Sequence, residues 1–260
     1  SQSPPFMTRV LPRSRLHSTE LLRFLVHQGM ANATVDAHDV GQSLGDWLDF
    51  RQAIALQAFI GSVDAPSRPP VAATARVDAE VLRKRFAEVR SALEQSIVQG
   101  SAPAPGLPRI EWPQAELEHP INPKTAFDPF RRCSIGHQRQ MDNIIRSLRS
   151  QLRGMLAKGS PAHQQLSALD AIFENVLTPR ESRLLGHIPT QFEKRFAKAL
   201  QQHMKALREA ADADEPAPRS TPWLVPLCED MRNALLAELD LRLQPVMGLI
   251  EALTADTPQP

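Results

Sequence analysis

Two cysteines and a handful of histidines are the side chains best able to do chemistry in this 260-residue chain. Cys133 and His137 stand four residues apart, a spacing that on a helix brings both within reach of one ion. His163, His187, His203 and Cys228 are the other donors that could join them. No second close pair completes a tetrahedral set, and the same spacing aligns Cys133 and His137 with Met141, Ile144 and Leu148. On such an apolar face both read as core residues, the histidine held by a hydrogen bond. No metal and no cofactor is expected. The chain also lacks a Gly-x-Ser-x-Gly, a Walker loop, a Gly-x-Gly-x-x-Gly and a His-Glu-x-x-His. The acid pairs Glu229–Asp230 and Glu238–Asp240 fall on a helix whose other face is core, so they are expected to be solvated positions. Nothing in these patterns supports an enzyme.

Arginine gives a different kind of signal. Arg132, Arg139, Arg146 and Arg153 recur every seven residues, with Arg149 one turn from Arg146 and Arg153. A heptad drifts only about 20° around a straight helix, so the five form a stripe. The ordinary reading is a solvated or interhelical charged face; the functional one is a surface for phosphates or an acidic partner. Aromatic residues for base stacking do not interleave with the arginines, and no helix-turn-helix or RNP signature is present. The sequence pI near 7.9 is also low for a dedicated nucleic-acid binder. A protein partner is therefore preferred, with nucleic acid as the alternative.

The elements that must carry these residues are helical. Leucine occurs 31 times against 13 valines and 11 isoleucines, and tyrosine is absent, a balance that favours helices over strands. Ser18 or Thr19 can cap a first helix with Leu21, Leu22, Leu25 and Val26 on one face and Gly29 at its end. A second helical region is expected over 41–60, carrying Leu44, Trp47, Leu48, Ile54 and Phe59. Val77, Val81, Leu82, Phe86, Val89, Leu93 and Ile97 mark an amphipathic helix closed by Gly100. Asp128 is the expected cap of the arginine helix, with Pro129 at its first position. Its apolar face runs from Cys133 to Leu156. Ser160 caps the next, whose face Leu166, Leu169, Ile172, Phe173 and Val176 leads to a bend or break near Pro179. Ile188-Pro189 begins a further helix with Phe192, Phe196, Leu200, His203 and Leu207 inward. A last helix presents Leu227, Met231, Leu235, Leu239, Leu243, Val246, Met247 and Ile250, with a kink expected at Pro245.

Twenty-three prolines against eleven glycines punctuate this pattern. They divide the chain into an N-terminal helical region (1–62), a linker (63–76), the amphipathic helix (77–100), a proline-rich connector (101–128), a C-terminal antiparallel bundle (129–253) and a tail (254–260). The fold class is all-α. No apolar run approaches the length of a membrane span. The two cysteines cannot build a disulfide framework and no secretory h-region is visible, so a reduced, bacterial-type cytoplasmic setting is expected. The net charge of +1 conceals a block of +6 over 124–160 and one of −6 over 212–260. These blocks could orient neighbouring helices against each other or mark a partner surface.

Several stretches together resemble the proteobacterial family described as domain of unknown function 3348. They are Leu21-Leu22, Leu44 through Phe50 with Ala53 through Leu56, Phe127 through Arg132, His137 through Asp142, and Met231 through Leu253. The resemblance carries no activity and no catalytic residues. It implies a setting, since such proteins are similar in context to accessories of MotA-type and OmpA-type envelope components. The function expected is thus a non-enzymatic cytoplasmic adaptor or scaffold, with a nucleic-acid-associated protein as the alternative, an enzyme of unknown type third, and self-association as a homodimer left open. Its expected partner surfaces are the arginine stripe (Arg132, Arg139, Arg146, Arg149 and Arg153) and the last helix (Leu239, Leu243, Met247 and Ile250).

Overall fold

A computed structural model describes residues 20–29, 79–117, 120–213 and 221–255. Among these the chain is all-α, with no strand. The helices are α1 (Glu20–His27), α2 (Ala79–Gln99), α3 (Asp128–Leu156), α4 (Pro161–Asp212) and α5 (Leu224–Ala255). The helical region expected over 41–60 lies outside the described residues, as do the caps at Ser18 and Thr19.

Proline and glycine set the ends of the helices, with two departures from expectation. Gly29 and Gly100 take the left-handed conformation just past α1 and α2 (φ 65° and 69°). At Gly100 a Cβ would also sit 3.1 Å from the Ile110 carbonyl oxygen, so a side chain there is disfavoured by both backbone and space. Trp112 Nε1 donates to the Ile97 carbonyl (2.7 Å) and ties the connector to the end of α2. Ser160 caps α4 as expected, its hydroxyl accepting from the His163 N–H. The arginine helix α3, however, begins at Asp128 itself. Phe127 occupies the cap position and the Asp128 N–H is taken by the Thr125 carbonyl.

The larger correction concerns α4, which runs unbroken for 52 residues through Pro179 and Pro189 rather than restarting at Ile188. A proline inside a helix strands the carbonyl four residues earlier. For Pro189 that carbonyl belongs to Leu185, and Gln138 Nε2 from α3 donates to it at 3.1 Å. The neighbouring helix thus supplies the missing donor, and continuity survives.

Among the described residues two apolar clusters hold the helices together. One joins α2, α3 and α5 through Leu93, Ile97, Met141, Leu152, Leu239 and Leu243. The other joins α1, α4 and the N-terminal ends of α3 and α5 through Leu21, Phe127, Phe130, Phe192, Phe196, Leu224 and Met231. Trp112 packs against both. Cross-helix pairs fix the directions. Gln138–Glu238 and Asp142–Arg242 place α3 and α5 parallel. Arg131–Glu193 and Arg149–Asp170 place α4 antiparallel to α3. Val81, expected on the inner face of α2, is instead 60% exposed.

Candidate functional site

The arginine stripe on α3 divides into two parts. Arg149 and Arg153 turn inward against α4. Arg149 makes a bidentate contact with Asp170, Nη2 at 2.7 Å and Nε at 2.9 Å. Arg153 Nη1 bonds Asp170 at 2.9 Å and also pairs with Glu174. Side chains 14% and 17% exposed, held by buried carboxylates, are fastenings of the bundle and not a free surface. Burial alone would lower the Arg153 pKa, but bonds to Asp170 and Glu174 override it and hold the guanidinium charged. Arg132, Arg139 and Arg146 stay exposed. Arg146 pairs along its own helix with Asp142 (2.7 Å). Arg132 reaches only the Asp128 carbonyl, and among the described residues no carboxylate pairs with Arg132 or Arg139.

The last helix does not offer the apolar surface expected of it. Leu239, Leu243 and Ile250 are buried in the cluster shared with α2 and α3, and Met247 is half-buried. Apolar residues at steps of three and four are needed to bury α5 inside the bundle, and the chain itself already covers them.

The two opposed charge blocks do not cancel each other. Basic residues of α3 pair with Asp170, Glu174 and Glu193 of α4. Acidic residues of α5 pair with Arg90 of α2 and Arg195 of α4. Where α3 and α5 do meet through charge the signs are reversed, Arg242 of α5 reaching Asp142 of α3 at 3.3 Å.

At that crossing sits a group expected to be solvated. Glu238 is fully buried. Its Oε1 accepts from Arg242 Nε (2.8 Å) and its Oε2 from Gln138 Nε2 (2.8 Å). Arg242, 10% exposed, also pairs with Asp142 and Glu181. Burial pushes the Glu238 pKa up, and the Arg242 charge and the Gln138 bond oppose that rise without reversing it. One glutamine amide therefore spans the α4 carbonyl freed by Pro189 and the buried carboxylate of α5. The position was legible in part, because Met231, Leu235, Glu238 and Arg242 follow steps of four, three and four along the buried stripe. Which donors would meet Glu238 was not.

The Cys133–His137 pair is core, as its spacing suggested, but without the expected hydrogen bond. His137 is 1% exposed, its ring stacks on Trp112 (centroids 5.8 Å apart), and its Nε2 has no partner. Burial lowers its pKa to about 4, so the ring is neutral at pH 7. Burial likewise pushes the Cys133 thiol up to about 12, the nearby Arg232 charge resisting and Cys228 adding to it. A thiol so far from ionisation is a poor nucleophile and ligand. Arg232 lies over the Trp112 ring, Cζ 4.8 Å from its centroid. Among the described residues no three His, Cys, Asp or Glu side chains converge as metal ligands. A cavity of about 620 Å³ beside the start of α3 is walled by Pro113, Leu117, Pro120, Ile121 and Phe130, with Glu116 the titratable residue of its lining among the described residues.

Comparison with known sequences decides the family. The sequence model of the family described as "Protein of unknown function (DUF3348)" matches residues 7–255. The chain belongs to the DUF3348 family. No curated protein and no solved structure matches it. Among the described residues of this DUF3348 protein no helix is long and apolar enough to cross a membrane.

Proposed function

We propose that this DUF3348 protein is a non-enzymatic helical adaptor that binds an acidic protein through the outer face of α3. The observation that supports it is the division of the arginine stripe. Arg149 and Arg153 are neutralised inside the bundle, whereas Arg132 and Arg139 are exposed on α3 without a carboxylate among the described residues. Seven residues of helix advance about 10.5 Å, so the exposed arginines stand one behind another along one side of a rigid rod. Unpaired cations spaced in this way suit a partner helix carrying carboxylates at a matching interval. The first partners to test are the MotA-type and OmpA-type components that the family resemblance implies, which would put the adaptor in the cytoplasm beside an inner-membrane complex.

The test is affinity purification of the tagged full chain from its native organism, with Arg132→Glu/Arg139→Glu as the comparison. Recovery of the acidic partner is expected to fall at least about tenfold while the far-UV circular dichroism is unchanged. Undiminished recovery would remove α3 from the reading. Nucleic acid bound in place of protein, with an affinity that drops steeply with salt, would transfer the face to that alternative.

A further inference from the structure

The exposed arginines of α3 have a second row of cations beside them, on α4. From Ser182 to Arg208 the exposed lysines and arginines of α4 are Arg183, Lys194, Lys198, Lys205 and Arg208, and no exposed residue of that stretch is acidic. Glu193, the carboxylate within it, is half-buried and turned to Arg131 of α3. Helix α3 shows the same bias, since from Pro129 to Leu156 none of its exposed residues is acidic either.

The two rows look the same way. Arg131 meets Glu193 and Gln138 meets the Leu185 carbonyl, so seven residues of α3 answer to eight of the antiparallel α4. Arg132 follows Arg131 by about 100° of helix, and Lys194 follows Glu193 by the same turn. In antiparallel helices, equal turns from a facing pair carry both side chains to one side of that pair. Arg139, about 80° from Arg131, and Arg183, about 80° from Glu193, fall on this side too. In this register Arg139 is level with Leu184 and Arg132 with Phe192, so each arginine has a cation of α4 within two residues of its level. Packed helix axes stand about 8–10 Å apart, and Arg183 to Lys198 covers about 22 Å. The result is a short furrow with cations on both banks. Leu184 is 69% exposed but lies about half a turn from Glu193, on the side of α4 away from α3. Apart from it, no exposed residue of the two stretches is apolar and larger than proline.

We infer that the partner enters this α3–α4 furrow as an acidic segment, with carboxylates turned to both banks and no apolar face. The inference rests on the reading above that α3 binds an acidic protein, and it adds α4 as the second half of the site. With nothing apolar to bury, attachment depends on charge, and cations on both banks fix the line along which the segment lies. A length of about 22 Å suits one segment of a protein. A nucleic-acid duplex would run on past the furrow to Glu209 and Asp212, which are exposed at the end of α4 and repel phosphates.

Fluorescence anisotropy with the full chain at low salt tests the furrow, the probe being a fluorescein-labelled glutamate–glutamine peptide of about 15 residues. Lys194→Glu/Lys198→Glu on α4 is expected to weaken binding at least about tenfold, as is Arg132→Glu/Arg139→Glu on α3. Arg83→Glu/Arg85→Glu, at exposed positions of α2, makes the same change in net charge and is expected to weaken it less than about threefold. Far-UV circular dichroism checks the fold, and Lys194→Gln/Lys198→Gln serves where reversal disturbs it, with a loss of about fourfold. Affinity unchanged by the α4 reversal but lowered by the α3 reversal would overturn the furrow and leave the reading of α3 standing. The converse, with α4 sensitive and α3 not, would remove that reading and the furrow with it. Equal losses in all three reversals, or no binding by the wild type, would also overturn the furrow. So would a DNA duplex of about 20 base pairs bound more tightly than the peptide and released by the same substitutions, the result expected of a phosphate-binding face.

Discussion

Replacing Arg242 by methionine isolates the energetics of the buried crossing between α3, α4 and α5. The substitution keeps the length of the stem and removes the cation that, among the described residues, pairs with Glu238. Asp142 and Glu181 lose the same partner, but they are 29% and 35% exposed and can return to water. Glu238 cannot, because it is fully buried and keeps only the Gln138 amide as a donor. Breaking a buried pair from one side costs about 3–5 kcal/mol at neutral pH. With a urea dependence of about 3 kcal/mol/M, the midpoint should move down by roughly 1–1.7 M. The sign of the pH dependence is the sharper test. The Glu238 pKa is already raised in the folded protein, and Arg242 is the largest influence holding it down. Without Arg242 it rises further, so the folded variant binds a proton more tightly than the unfolded chain does. The deficit is therefore full above the folded pKa and shrinks as pH falls through it. Urea titrations followed by circular dichroism at pH 8 and pH 5.5 should show a smaller gap from wild type at the lower pH. Adding Glu238→Gln removes the stranded charge and should restore most of the loss at pH 8. A deficit identical at both pH values, or a double variant no more stable than Arg242→Met, would refute the reasoning.

Other consequences follow from neighbouring residues. Gln138→Leu strips a donor from both the Leu185 carbonyl and Glu238, and about 2–4 kcal/mol of stability should be lost in the same urea assay. His137 is neutral in the fold with a pKa near 4, so its contribution to stability is complete above pH 6.5 and is lost as pH falls toward 4. The loss amounts to about 3 kcal/mol, and His137→Leu should flatten that limb of the stability profile. The Cys133 pKa near 12 and burial of both thiols predict that a thiol reagent labels the native protein at pH 8 at least about a hundredfold more slowly than the urea-unfolded chain. Rapid native labelling at Cys133 would contradict its placement.

What could be read from the chain was whatever depends on neighbours a few residues apart. Leucine spacing gave the helices and their buried faces, Gly29 and Gly100 gave two ends, and Ser160 gave a start, because periodicity and capping are set within one or two turns. The run of five arginines was equally visible, and so was the burial of Cys133 and His137. Their partners were not. Pro189 reads locally as the start of a helix, and only the Gln138 amide arriving from α3 lets α4 pass through it. Glu238 reads as an acidic surface residue, and only the approach of Arg242 and Gln138 makes its burial tolerable. The charge blocks seemed made for each other, yet α2 and α4 supply most of the opposite charges. Tertiary structure likewise decided which arginines of the stripe are fastened to α4, by placing Asp170 and Glu174 opposite Arg149 and Arg153. Sequence spacing fixes which face a side chain occupies; the packing of distant helices decides what that face meets, and with it whether a charge fastens the bundle or stays exposed.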